Sequence, residues 1–308
     1  MSNSVSTSKE SETVVASSQA ILVPLDGSPA AESAIPIARE AARILGATIR
    51  LLHVADTALE HKDLLQAVML QPESVMGAVL EGASGPPAQA IVRAASEAEI
   101  VLIVMSATGW TGDADRPLGH VAESVLRQTT SPVILVRPEV GKRFEAEHRR
   151  LKRLLLPLDG APITAAALGP AVEIACMCEA ELDVLHVVGP GIRANGHPGT
   201  LSVPRYQDQP HLSAQRWTRE FLRRFCNDFP KQPEHVLVRV GDPGKSIVGV
   251  ARELHSDLIV IAWKAEFDGN RARTARAVLR NAPCPVLFLR VQSDVRGDAV
   301  AAGAQPQP

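Results

Sequence analysis

Short apolar runs alternate along this chain with longer stretches whose apolar residues fall three and four apart, and the whole alternation occurs twice. In the first series the runs are 20–25, 48–54, 75–80, 100–105 and 132–136. They are rich in Val, Ile and Leu without polar alternation, as strands of a parallel sheet read when helices cover both faces. Between them, 29–45, 57–70, 87–98 and 119–127 carry helical spacing and predict the crossovers. In the second series the runs are 153–158, 181–188, 235–240, 258–263 and 285–290. The pattern predicts an α/β fold: two tandem five-stranded parallel-sheet domains with helices on both faces.

The residues repeat as well as the pattern. Ile21-Leu-Val-Pro-Leu-Asp-Gly-Ser28 returns as Leu154-Leu-Leu-Pro-Leu-Asp-Gly-Ala161, and Leu52-His-Val54 as Leu185-His-Val187, both 133 residues later. Ser131-Pro-Val133 returns as Cys284-Pro-Val286. A self-similarity of this length matches one domain rather than a solenoid unit. The expected organisation is a disordered tail over 1–18, a first domain over 19–138, a linker over 139–151, a second domain over 152–291 and a disordered tail over 292–308. An insertion in the second copy, 189–210, is rich in Pro and Gly and reads as a long loop before a helix at 212–229. The linker region is basic, with Lys142, Arg143, Arg149, Arg150 and Lys152; a solvated run is the ordinary reading of such a segment. The closing strands of the two copies are apolar and at sheet edges, so they are expected to pair with each other within the chain, an internal pseudo-dimer.

Composition narrows the function. Hydrophobic residues make up 45% and charged residues 21%, which suits a globular protein with length for two separate cores. With 32 Lys+Arg against 34 Asp+Glu there is no global attraction toward nucleic acid or an anionic membrane. No apolar run approaches the ~20 residues that span a bilayer, and no signal segment opens the chain, so the expected location is the cytoplasm. Cys176, Cys178, Cys226 and Cys284 form no Cys-x-x-Cys pair and read as free thiols.

In open parallel sheets ligands sit beyond the carboxyl ends of the strands, where helix N-termini present spare N–H groups. Asp26 ends the first strand ahead of Gly27, Ser28 and Pro29; it reads equally as a ribose or adenine acceptor and as part of a helix cap. After the fourth strand, Gly109 and Gly119 stand with nine residues between them, and Gly119 opens a helix with no side chain over its amides. That suits a phosphate loop, and it also suits a flexible crossover. His53 and His186 occupy equivalent strand positions and read as packing residues. Gly241-Asp-Pro-Gly-Lys-Ser246 lacks the leading glycine of a P-loop, because Arg239 stands there, and reads as a strand-to-helix turn. Arg273, Arg276 and Arg280 share one helix face, either solvated or holding an anion. No nucleophile elbow, zinc helix or paired carboxylates point to an enzyme.

With these motifs in order, twice, both copies resemble the universal stress protein domain. The resemblance rests on the Val-Pro-Leu-Asp-Gly-Ser opening, the Leu-His-Val second strand, the glycine-containing loop and the closing Ser/Cys-Pro-Val strand. It implies an adenine nucleotide alpha hydrolase-like fold, dimeric pairing, and ATP-binding and non-binding branches. ATP binders of that family carry Gly-x-x-Gly, nine residues, then Gly-Ser or Gly-Thr. By resemblance, Asp26 meets ribose or adenine, Val54 offers backbone to adenine, and Ser106, Gly109, Gly119, His120 and Val121 surround the phosphates of ATP or AMP, with no metal beyond nucleotide-associated Mg. Ser106 and His120 depart from the pattern. In the second copy Ala262, Ala265, Ala272 and Arg273 replace the motif, and Trp263 and Phe267 are expected to fill the vacated space. Two functions follow as expectations: a stress-response regulator binding ATP or AMP in the first domain, or a tandem scaffold that binds no nucleotide and acts through protein contacts, either one open to further homodimerisation.

Overall fold

The computed structural model describes residues 19–57, 59, 61–70, 75, 77–97, 99–109, 117–159, 162–188, 222, 230–265 and 269–291. The first half runs β1 (Ala20–Leu25), α1 (Pro29–Glu32), α2 (Ile35–Leu45), β2 (Thr48–Ala55), α3 (His61–Ala67), β3 (Ala78–Ser84), α4 (Pro87–Ala95), β4 (Ile100–Ser106), α5 (His120–Gln128) and β5 (Val133–Val136). After α6 (Pro138–Ala146) the second half runs β6 (Arg153–Leu158), α7 (Pro162–Ala165), α8 (Leu168–Met177), β7 (Glu181–Val188), β8 (His235–Val240), α9 (Pro243–Glu253), β9 (Leu258–Trp263), α10 (Gly269–Asn281) and β10 (Val286–Arg290). The expected tails, the 189–210 loop, the 212–229 helix apart from Leu222, Cys226 and Phe267 lie outside the described residues.

The ten strands form one sheet in the order β3-β2-β1-β4-β5-β10-β9-β6-β7-β8. Neighbours within each half run parallel, and the halves meet where β5 and β10 pair antiparallel, Val286 opposite Leu135, Leu287 opposite Ile134 and Phe288 opposite Val133. The closing strands thus pair edge to edge within the chain. The expectation of two separate cores is corrected. Alternate residues of each strand feed two apolar layers, one on each face, and both layers run through both halves. Ile21, Val23, Ile134, Leu287 and Leu154 share one; Leu22, Ile103, Leu135, Phe288 and Ile259 share the other. Joining two twisted sheets at apolar edges makes each layer continuous.

Three local readings are corrected. The helix expected over 29–45 is two helices, because Pro36 sits at the second position of α2 and lacks the N–H a continuous helix would bond to Glu32. Ser33 makes the corner, its hydroxyl donating to the Ala30 carbonyl at 2.6 Å. The third strand starts at Ala78, after Gly77 with φ 79°, and not at residue 75; as the sheet edge it alternates exposed and half-buried residues and so does not read as an apolar run. The second predicted helix contracts to α3.

The linker reading changes most. Residues 138–146 form α6, which buries Val140, Gly141 and Phe144. A Cβ on Gly141 would lie 2.0 Å from the Ser33 carbonyl oxygen, so only glycine lets α6 approach that closely. The basic residues are not simply solvated. Arg143 donates to the Pro283 carbonyl and Arg137 to that of Ala282 at 3.3 Å. Arg150 and Arg43 both meet the buried carboxylate of Glu40, and Arg149 meets Asp257 at 2.9 Å. Asp257 also accepts the amides of Lys152 and Arg153 at 3.0 and 3.1 Å. The connection is therefore pinned to the first half by Glu40 and to the second by Asp257.

Trp263, at the end of β9, completes the seam. Its indole N–H donates to the Leu126 carbonyl of α5 at 3.2 Å, and its ring meets Phe288 edge-on at 5.4 Å. Arg290 reaches the carbonyls of Arg127 and Thr129 at 3.4 and 3.5 Å.

Two predictions follow from these contacts. Burial raises the Glu40 pKa, but bonds from Arg43 and Arg150 outweigh it and hold the carboxyl below its usual range. A depressed pKa contributes stability that is present above the unfolded-state value and is lost as pH falls through the folded one. Urea unfolding of Glu40→Gln followed by circular dichroism should show a loss of about 1–2 kcal/mol at pH 7 that shrinks below about pH 4. The same measurement on Trp263→Ala should show a loss of about 3–5 kcal/mol, against a smaller loss of about 1–3 kcal/mol for Trp263→Phe, which keeps one aromatic ring at the seam and loses the N–H and the volume of the second ring.

Candidate functional site

A cleft of about 300 Å³ opens beyond the carboxyl ends of β1, β2 and β4 in the first half. Asp26, Val54, Ser106, Gly109, Gly119, His120 and Val121 all line it, although they come from four separate chain segments. Its apolar wall, including Pro24, Leu52, Pro87, Ile91 and Met105, was not singled out from the sequence. The available signal was strand alternation: Leu52 and Met105 belong to the same buried layer as Ile91 of α4. The volume is at the small end for ligand pockets, and the lining, apolar with a few polar groups at one end, has their usual chemistry.

Asp26 lines the cleft and holds the serine that caps α1. Oδ1 accepts from the Ser28 amide at 2.9 Å and the Ser28 hydroxyl at 2.5 Å. Ser28 in turn caps α1, its Oγ accepting from Ala31 N at 3.1 Å. Oδ2 faces the loop after β4, so near Gly109 that a Cβ there would lie 2.4 Å from it. Glycine at 109 thus lets the carboxylate lie against the loop, which a side chain there would push aside, and its φ is not in the left-handed region. His53 supports the same strand end, with Nδ1 2.8 Å from the Leu25 carbonyl. His186 repeats this contact with Leu158 at 3.1 Å, and burial pushes its pKa below the usual histidine range.

Gly119 is the N-cap of α5 and contributes no side-chain cap, so the first turn presents its amides at the cleft without a competing side chain. Its own amide donates to the Ala107 carbonyl at 2.8 Å, which fixes the return of the loop to β4. A Cβ on Gly119 would meet only ordinary contacts, the nearest at 3.5 Å. Ser106 is buried, and its hydroxyl accepts from Thr108 N at 3.3 Å, so it engages its own loop. His120 is exposed at the rim. The centre of the loop, 110–116, lies outside the described residues.

The second half has turned the equivalent residues to other uses. Asp159 accepts from the Thr164 hydroxyl at 2.6 Å, within its own strand-to-helix corner. Ala265 carries φ 64° where the first half has Gly109, and Ala272 is buried. Trp263 does not fill a vacated cleft, as expected from the sequence; it points into the seam, because α5 of the first half offers it a carbonyl acceptor and Phe288 an apolar partner. Gly241–Ser246 is a strand-to-helix turn in which Asp242 caps α9, accepting from Lys245 N at 2.8 Å. Among the described residues no group of three His, Cys, Asp or Glu could hold a metal ion, and no helix is long and apolar enough to cross a membrane. Cys176, Cys178 and Cys284 are free thiols, and burial pushes Cys178 up to about 11 and Cys284 up to about 12.

Known proteins share this architecture. A universal stress protein from Archaeoglobus fulgidus DSM 4304 superimposes with a TM-score of 0.61 at 18% identity, over 90% of this chain and 98% of that one. A functionally unknown protein from Pseudomonas aeruginosa PAO1 superimposes with a TM-score of 0.59 at 18% identity, over 89% and 92%. At these identities the likeness is one of fold. In sequence, 102 residues are 30% identical to the Na(+)/H(+) antiporter NhaS5 of Synechocystis sp., covering 30% of this chain. The chain spans about 15% of the length of that curated relative. The profile of the Universal stress protein family matches residues 18–78, 58–137 and 150–290, both halves of the sheet described above. The chain belongs to the universal stress protein family.

Proposed function

We propose that this chain is a stress-response regulatory protein of the cytoplasm that binds ATP or AMP weakly in the cleft of its first half. It acts by changing its contacts with a protein partner and not by turnover. In this reading the units run over 19–138 and 152–291, and residues 139–151 join them. The observation that carries it is the convergence of Asp26, Gly109 and the side-chain-free N-cap Gly119 on one cleft with an apolar wall. The wall suits an adenine ring, Asp26 suits ribose hydroxyls, and the first turn of α5 suits an anion. Any Mg would arrive with the phosphates.

A second reading, a tandem scaffold that binds no nucleotide, is favoured by Ser106. Its hydroxyl takes up the Thr108 amide, a donor that a phosphate loop would otherwise direct at its ligand.

Isothermal titration of the full chain with ATP and AMP separates the two. Measurable binding is expected, weakened about ten-fold or more by Asp26→Ala, which removes a charged acceptor. Gly109→Ala should weaken it comparably by driving a methyl group into Asp26, and Gly119→Val by covering the first turn of α5. No heat at millimolar nucleotide would leave the scaffold standing; binding indifferent to all three substitutions would put the ligand elsewhere.

A further inference from the structure

Three arginines from three parts of the chain meet one short turn. Where α10 ends, the carbonyls of Asn281, Ala282 and Pro283 follow one another at the negative end of the helix, beyond the reach of its own amides. Arg252 of α9 donates to Asn281 at 3.1 Å, Arg137, which follows β5, to Ala282 at 3.3 Å, and Arg143 of α6 to Pro283. The first half, the connection and the second half each supply one guanidinium to this row.

Capping three carbonyls does not by itself call for three full charges. A guanidinium keeps its proton in a protein and carries five N–H donors, of which a carbonyl takes one. Held side by side, the three repel: burial, and then the charges of Arg252 and Arg143, hold Arg137 below its usual range. Glu139 meets Arg137 from an exposed position. Glu253, next to Arg252, is engaged by Arg239 at 3.2 Å, and Glu147, one turn from Arg143, by Arg149 at 3.8 Å. Arg143 and Arg252 are exposed, and neither forms an ion pair among the described residues. The row also has a spacing. Asn281 and Pro283 are two residues apart, so their carbonyl carbons lie about 7 Å apart or less. In an extended peptide, side chains two residues apart share one face at about the same separation.

We propose that this row of arginines is a docking surface for an extended acidic segment of a protein partner, whose alternate carboxylates meet Arg252 and Arg143 as the segment crosses Arg137. Incoming carboxylates relieve the repulsion among the three guanidiniums. The carbonyl contacts hold each planar fork in place while its other N–H groups bind the partner. The chain as a whole carries −2, so a long polyanion such as nucleic acid gains at this turn and loses beyond it. The inference does not depend on the cleft of the first half, since both readings of that cleft act through protein contacts.

The test is fluorescence anisotropy of a labelled octaglutamate peptide titrated with the full chain at low salt, with unfolding of each variant followed by circular dichroism. The wild type is compared with Arg143→Gln, Arg252→Gln and the double variant, and Arg93→Gln, at an exposed position of α4, is the charge-matched control. Binding by the wild type is expected, weakened about two- to five-fold by each single substitution, further by the double variant, and unchanged by the control. Arg143→Lys, which keeps the charge and loses the fork, should fall between the wild type and Arg143→Gln. A cap with no docking role would lower the unfolding midpoint and leave peptide affinity alone. No peptide binding by the wild type, binding indifferent to both substitutions, or an equal loss with Arg93→Gln would each overturn the proposal. So would a labelled oligothymidylate that bound more tightly than the peptide and was lost in the same variants, since that would assign the row to a phosphate backbone.

Discussion

The antiparallel pairing of β5 with β10 is the constraint on which the rest of the molecule depends. Each half is a parallel sheet whose last strand would otherwise present unpaired N–H and C=O groups at an apolar edge, an open template for another chain. Pairing Val133–Leu135 with Val286–Phe288 closes both edges at once. The pairing is self-complementary, since the same strand of each copy meets its counterpart in the opposite direction, as at a two-fold interface. The apolar layers on the two faces then run from one half into the other.

The seam also accounts for what several side chains of the second half do. The second half has a neighbour in α5, and several of its side chains serve that contact. Trp263 bonds the Leu126 carbonyl, Arg290 reaches the last carbonyls of the helix, and Arg276 faces Glu123. The opposite end of α5 begins at Gly119 and frames the cleft of the first half. One helix thus carries the N-terminal amides of a candidate ligand site at one end and the grip of the sister copy along its length. The second half thus contacts the half that carries Gly109 and Gly119 through α5.

Much of the fold was legible because it is written in local terms. Central strands such as β1 and β4 are buried on both faces, so they read as unbroken apolar runs. Asp26, Gly109 and Gly119 were legible as a set because ligand sites in parallel sheets lie where strands end and helices begin. The errors have causes as specific, two of them local and one long-range. The edge strand β3 alternates in exposure and loses its apolar signature. Pro36 divides a helix whose apolar spacing continues across the break. The arginines around α6 read as a solvated run because nothing near them in the chain announces Glu40, 110 residues before Arg150, or Asp257, over a hundred residues beyond Arg149.

The sequence by itself determined what depends on neighbouring residues and on the duplication: the alternation of strands and helices, the two copies, the strand ends, and the glycines that keep side chains away from Asp26 and the start of α5. Only the tertiary structure decided that β5 and β10 pair antiparallel with Leu287 opposite Ile134, that Trp263 turns to the seam, that Ser106 bonds Thr108, and that Arg276 faces the helix of the other half. The reason is physical. Periodicity states which face of an element is apolar, and the backbone conformation of a turn is set within a few residues. Which apolar face or charged group meets it from a hundred residues away is settled by register and packing across the sheet.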